Sequence, residues 1–122
     1  MNADVKEISI NGISYIPKDS IQEPAVKVDN MEYCIVRTYS AGVFIGYIQS
    51  RKDKEVKMLQ ARRIWYWSGA ASLSQLAIEG SSKPKECKIA MPIEVILTEA
   101  IEIISVTQKA KNNIDGIPQW KI

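Results

Sequence analysis

Residues 33–39 read Tyr33-Cys34-Ile35-Val36-Arg37-Thr38-Tyr39, and residues 43–51 read Val43-Phe44-Ile45-Gly46-Tyr47-Ile48-Gln49-Ser50-Arg51. Both runs are rich in β-branched and aromatic residues, the side chains that fit a pleated surface. The small residues Ala41-Gly42 between them read as a turn. A third run, Glu55 to Trp67, follows the charged tip Arg51-Lys52-Asp53-Lys54. A parallel crossover needs about a dozen residues of connection, so these three strands must form an antiparallel meander. Ser68-Gly69 ends it.

Downstream, Ala70 to Glu79 is the clearest helix. Leu73, Leu76 and Ala77 recur at helical spacing, and Gly80 is placed as a C-terminal stop. Ser81-Ser82-Lys83-Pro84 is a loop. Ile93 to Leu97 and Ala100 to Val106 are rich in Ile and Val. The second is predicted as a strand, with a helix opened by Thr98-Glu99-Ala100 as the alternative. Thr107 to Ile114 reads as a short helix capped by Thr107 and stopped at Gly116. The tail Ile117-Pro118-Gln119-Trp120 is expected to pack its Trp. Upstream, Ile8 to Ile16 alternates apolar and polar residues around Asn11-Gly12, the strongest short signal for a two-residue hairpin. A lone hairpin is marginal in water, so this arm is expected to dock on the body or on another copy. Pro17 and Pro24 lie in a polar connector. The expected fold is α+β, an antiparallel β meander with an N-terminal hairpin arm, one central helix and a short C-terminal helix. Residues 1–30 are expected to form the arm and linker, and residues 31–122 one α+β domain, the place to look for a ligand site.

A chain of 122 residues, 46% hydrophobic and 25% charged, has the balance of one ordinary globular domain. Its net charge of +2 argues against a protein living on the diffuse field of a nucleic-acid polymer or a membrane. A local cationic cluster that holds a small anion is compatible with that total. Cys34 and Cys87 are too isolated for a zinc site and read as reduced core residues. No metal or cofactor is expected. No run reaches membrane-span length, and the charged start Asp4-Val5-Lys6-Glu7 lacks a signal-peptide core, which makes the cytoplasm the expected compartment.

Histidine is absent, which removes the commonest general base and metal ligand. Walker, G-x-G-x-x-G and G-x-S-x-G patterns are also absent. Glu94, Glu99 and Glu102 are the remaining acidic candidates, and their spacing is that of a solvated surface. The chain is therefore read as a binder and not an enzyme.

Strict alternation puts Leu59, Ala61, Arg63, Trp65 and Trp67 on one face of the third strand, and Gln60, Arg62, Ile64 and Tyr66 on the other. Each face sets an arginine near an aromatic ring. A ring can stack on a nucleobase and a guanidinium can grip a phosphate, the two ends of a nucleotide. The competing reading fills the core with the Trp rings while both arginines reach solvent. Arg37 and Tyr39 precede the turn Ser40-Ala41-Gly42, whose amides could cradle a phosphate oxygen. Gly42 could equally serve only the hairpin. Ser68-Gly69-Ala70-Ala71-Ser72 reads as a helix N-terminus attractive to anions, or as a plain cap by Ser68. Ser72 and Gln75 would then offer a hydroxyl and an amide to a base or ribose.

The stretches Val36 to Phe44, Ala61 to Ala77 and Leu97 to Ile104 resemble a phage-encoded family, the first type of Thoeris anti-defence protein. The resemblance spans residues 33 to 120 and leaves out the hairpin arm. It implies a sponge in the host bacterial cytoplasm that binds cyclic ADP-ribose isomers, glycocyclic ADP-ribose among them, without cleaving them. A Toll/interleukin-receptor-like defence enzyme makes that signal, and its capture blocks Thoeris immunity. The resemblance also implies homodimers or assemblies of dimers, with cyclic oligonucleotides bound at a separate site in some members. Placed by physical inference, the ligand site comprises Arg37, Tyr39, Ser40, Gly42, Arg63, Trp65, Trp67, Ser68, Ser72 and Gln75. The alternative is a structural or interaction domain of a phage or prophage with no small-molecule ligand.

Overall fold

The computed structural model describes residues 22–122 and the backbone of two short strands, β1 (Ile8–Ile10) and β2 (Ile13–Tyr15). These two pair antiparallel, Ile8 opposite Tyr15 and Ile10 opposite Ile13, as the hairpin pattern predicts. Their Asn11-Gly12 turn, the docking of the arm and the connector up to Ile21 lie outside the described residues.

The meander is β3 (Glu32–Thr38), β4 (Val43–Lys52) and β5 (Glu55–Tyr66), each antiparallel to the next. β6 (Lys88–Ile89) pairs with the end of β5, and β7 (Ile93–Leu97) pairs with its beginning. β8 (Ala100–Ser105) pairs with β3, at the opposite edge of the meander. Only Thr98 and Glu99 separate β7 from β8, so one bent segment joins the two outer strands and the sheet must curl to let it. The Ala100 amide donates to the Lys54 carbonyl at 2.9 Å and the Tyr39 amide to that of Glu99 at 2.9 Å, fixing the bend at both ends. The fold is α+β, a six-stranded antiparallel sheet with one central and one C-terminal helix. Both Ile/Val runs are strands, and the helix alternative for residues 98–106 is not taken up.

Curling is made possible by a bulge. Gly46 faces Gln60 and Ala61 together, since Ile45 pairs with Arg62 but Tyr47 with Leu59. Gln60 is left-handed at φ 52°, and a Cβ on Gly46 would lie 2.8 Å from Ala61 Cα, so only glycine fits there. The extra residue breaks the strict alternation expected of β5. Met58 and Ala61 join the same buried cluster, and Leu59 does not share a face with Ala61. The face Arg63-Trp65 begins afresh beyond the bulge.

Two apolar cores lie on either side of the curled sheet. Inside it, Val36, Phe44, Val56, Met58, Ala61 and Leu97 pack together. Outside it, Ile35, Ile45 and Ile64 meet α1 (Leu73–Glu79) and α2 (Gln108–Asp115) through Leu76, Ala77, Ala110 and Ile114. The central helix starts three residues later than its composition suggests, because Ser72, not Ser68, is its N-cap. Thr107 caps α2, as expected, and also donates to the Ile78 carbonyl at 2.6 Å, tying the two helices together. Residues 23–26 are joined to the body and do not hang free as linker. The Ala25 amide donates to the Val106 carbonyl and Gln108 donates to that of Glu23.

The sheet, α2 and the C-terminal tail meet at Arg62, which is only 7% exposed. Its Nε donates to the Ala90 carbonyl at 2.8 Å and Nη1 to that of Ile114 at 3.1 Å. Nη2 reaches the carbonyls of Ile89, Ile117 and Pro118 at 3.1, 2.9 and 3.4 Å. Ile114 belongs to the last turn of α2, where carbonyls lack helical partners and the dipole favours a cation. Burial pulls the guanidinium pKa down, while Tyr33 and Asp115 hold it up. Neither arginine reading of the sequence, ligand grip or solvent exposure, describes Arg62.

Arg62→Ala withdraws a donor from five carbonyls, of which those of Ile89 and Ile114 keep a backbone amide partner. Since an unmade buried bond costs about 1–3 kcal/mol, the variant is expected to lose at least ~3 kcal/mol in urea unfolding. Arg62→Lys restores little, because an ammonium cannot span the fork. A loss under about 1 kcal/mol in both variants would contradict this role.

Alkali is expected to destabilise the fold. Burial, helped by the Glu32 carboxylate, pushes the Cys34 thiol from 9.0 up to about 11. Burial, then Asp115, also raises Tyr33. Both groups keep their protons longer folded than unfolded. The unfolded chain therefore sheds protons first as pH rises, and stability falls once pH passes about 9. The melting temperature should be level near neutrality and decline above that point, with a shallower onset in Cys34→Ala.

Candidate functional site

Beyond the bulge, β5 keeps Arg62 and Ile64 buried and carries Arg63 and Trp65 on its exposed side toward the turn between β3 and β4. The turn is clamped from within by Thr38. Its hydroxyl donates to the Gly42 carbonyl at 2.7 Å and accepts from the Ala41 amide at 2.9 Å. Gly42 sits at φ 94°, a backbone region that side chains rarely enter, with Arg63 Nε 4.0 Å from where a Cβ would be. Between turn and strand opens a cleft of about 470 Å³ lined by Ser40, Ala41, Gly42, Val43, Arg63, Ile64, Trp65 and Trp67. Its size is that of a small-molecule site, roughly 300–1,000 Å³.

Three side chains give the cleft its chemistry. The Arg63 guanidinium lies 4.6 Å from the Phe44 ring centroid and, among the described residues, makes no ion pair. It is an exposed cation steadied by an aromatic face and available to an anion. Trp65 is 64% exposed and stacks on Trp120, centroids 5.8 Å apart and planes 14° from parallel. Trp67 is half-buried against the outer core, and its Nε1 donates to the Ala70 carbonyl at 3.3 Å. Trp67 thus serves packing and cleft together, whereas Trp65 stands outside the core.

Of the residues singled out in the sequence, the fold brings Ser40, Gly42, Arg63, Trp65 and Trp67 into this cleft. It engages the others elsewhere. Arg37 Nε pairs with Glu102 at 2.9 Å across the β3–β8 ladder. Tyr39 is 76% exposed beside the turn. The Ser68 hydroxyl meets Glu86 at 3.4 Å, and its carbonyl accepts from Ser81. Ser72 accepts from the Gln75 amide at 3.2 Å while Gln75 Oε1 accepts from the Ala71 amide at 2.7 Å, so both side chains cap α1. The Ala41 amide is spent on Thr38 and the Tyr39 amide on Glu99, which limits the phosphate-cradling capacity expected of the turn. Ser40 Oγ donates to Glu99 Oε1 at 3.3 Å, placing a carboxylate on the outer lip. The anion-attracting end of the cleft is therefore at Arg63.

Sequence reasoning missed Trp120 as a neighbour of Trp65. Two Trp residues 55 positions apart carry no local signal of contact. Glu99 and Glu102 are engaged by Ser40 and Arg37, and among the described residues no cluster of His, Cys, Asp or Glu could hold a metal ion. No described helix is long and apolar enough to cross a membrane.

The chain matches, over residues 31–114, a family described as a domain of unknown function (DUF6948), and it belongs to that family. No curated protein and no solved structure matches it.

The two indoles of the cleft are expected to separate cleanly on mutation. Trp65→Ala forfeits a surface stack worth about 0.5–1.5 kcal/mol. Trp67→Ala opens the outer core and costs about 2–3 kcal/mol, less than the loss of a fully buried Trp. Equal and large losses in both variants would make Trp65 a core residue.

Proposed function

We propose that this member of the family is a binding protein for a small adenine nucleotide signal, a cyclic ADP-ribose isomer such as glycocyclic ADP-ribose, which it holds uncleaved. The observation that carries the reading is the cleft itself, where a guanidinium that makes no ion pair among the described residues and two indoles converge on a turn of small residues. Adenine stacks on the free face of Trp65, at about 1–3 kcal/mol per base. Arg63 takes the pyrophosphate, and the Ser40 oxygen, its proton turned to Glu99, accepts from a ribose hydroxyl. The resemblance to Thoeris anti-defence proteins supports the same ligand class and supplies its purpose, capture of a bacterial immune signal in the host cytoplasm. A chain without histidine, with Glu99 and Glu102 occupied by neighbours, suits capture better than hydrolysis.

Nanomolar capture requires about −12 kcal/mol. One open cleft with a single stack and a single guanidinium falls short of that, so a second copy closing over the opening belongs to the proposal. Ile93, Ile96 and Ile101 on β7 and β8 are each at least 40% exposed and offer apolar surface for copy-to-copy contact. The same exposed row is what favours the second reading, an interaction domain with no small ligand.

Calorimetry with glycocyclic ADP-ribose, followed by denaturation and analysis of the released compound, tests the proposal. Heat with intact ligand recovered is expected. Arg63→Ala is expected to weaken binding at least tenfold, as loss of a charge-assisted hydrogen bond of ~1.5–3 kcal/mol implies. Recovery of an opened product would make the protein an enzyme, and absence of heat would remove the ligand assignment in favour of the interaction domain.

A further inference from the structure

We infer that Trp120, in the C-terminal tail, is the positioning residue of the cleft: it holds the Trp65 indole in place as the wall on which the base stacks. The inference rests on the nucleotide reading of that cleft. An indole standing 64% exposed on a strand has little buried contact to fix its torsions. Ordering a loose side chain during binding costs affinity, and presenting it already fixed avoids that loss. Trp120 supplies the fixing. Its ring lies nearly parallel to that of Trp65, 14° between planes with centroids 5.8 Å apart, an offset stack that covers part of one indole face and leaves the other for a ligand.

A positioning residue must itself be held, and Trp120 is. Its amide donates to the Ile89 carbonyl at 2.9 Å, and the Lys88 ammonium lies 5.6 Å from its ring centroid. Immediately upstream, Ile117 is buried and the carbonyls of Ile117 and Pro118 are gripped by Arg62 Nη2. The tail is thus pinned on both sides of Gln119, and the pinning ends at the ring that meets Trp65. Trp67, the other indole of the cleft, is fixed independently by Ala70. The arrangement extends the site to the last residues of the chain, beyond the matched stretch 31–114. Arg62 and Arg63, adjacent in sequence, then serve one site from opposite faces of β5, the first by anchoring the tail and the second by facing the ligand.

The test uses the full chain with Trp120→Ala and Trp120→Phe. Side-chain motion of Trp65 is read from the nuclear Overhauser effect at its indole nitrogen, and affinity by calorimetry with glycocyclic ADP-ribose. In the wild type and in Trp120→Phe, which keeps a flat face, the Trp65 indole should be as rigid as the backbone and the affinities within about twofold. In Trp120→Ala the indole should become mobile and binding weaken by about two- to tenfold, the range for ordering one side chain. Trp120→Leu, which retains bulk but no flat face, should behave as Trp120→Ala does and serves where the smaller residue prevents folding. A Trp65 indole that stays rigid without the Trp120 ring, or one that loosens with no change in affinity, overturns the inference. No heat with the wild-type chain overturns the nucleotide reading instead, and the two failures are told apart because the indole measurement needs no ligand.

Discussion

The guanidinium of Arg62 is a buried cation whose hydrogen-bond partners are all main-chain carbonyls, drawn from β6, the residue after it, the end of α2 and the tail. Those segments approach one another with carbonyls inward, an arrangement that would be unfavourable without a multivalent donor at its centre. A fork of five N–H groups is the side chain that can serve them all. Among the described residues no buried side-chain polar atom is left without a partner, so the centre is closed. Because Arg62 follows the bulge at Gln60 by two positions, the same stretch of β5 both bends the sheet and anchors the tail. Arg63, one residue on, is thereby turned to the opposite face, over Phe44.

Much of this was legible in the sequence. Short connections dictated the meander, Thr107 and Gly116 bounded the C-terminal helix, and Asn11-Gly12 marked a hairpin whose strands do pair. The bulge escaped detection because its cause is a cross-strand relation, Gly46 opposite Gln60 and Ala61, and neither residue is unusual alone. Composition alone starts the helix too early because Ala70-Ala71 has high helical propensity. The capping pair Ser72 and Gln75 overrides propensity by satisfying the first free amides.

The site was legible in half. Residue type and spacing singled out Arg63, Trp65 and Trp67 and the facing turn, and the fold brings these together. Arg37, Ser72 and Gln75 carry the same chemistry but have partners: Ser72 and Gln75 are used by the local cap of α1, whereas a partner at long sequence separation, as for Arg37, leaves no trace in a single chain. Arg37 is held by Glu102, 65 positions away. Arg62 and Arg63 illustrate the limit best. Adjacent and chemically identical, they are divided by one step of strand alternation into a buried anchor and an exposed cation.

We propose the Arg63–Trp65 cleft as a nucleotide site and the chain as a protein that captures without cleaving. A crystal structure of the protein soaked with glycocyclic ADP-ribose measures both at once. The expected result is an intact cyclic ligand with adenine on the free face of Trp65 and its pyrophosphate on Arg63. An opened ligand, or a ligand bound away from the turn at residues 40–43 while this cleft stays empty, would contradict it.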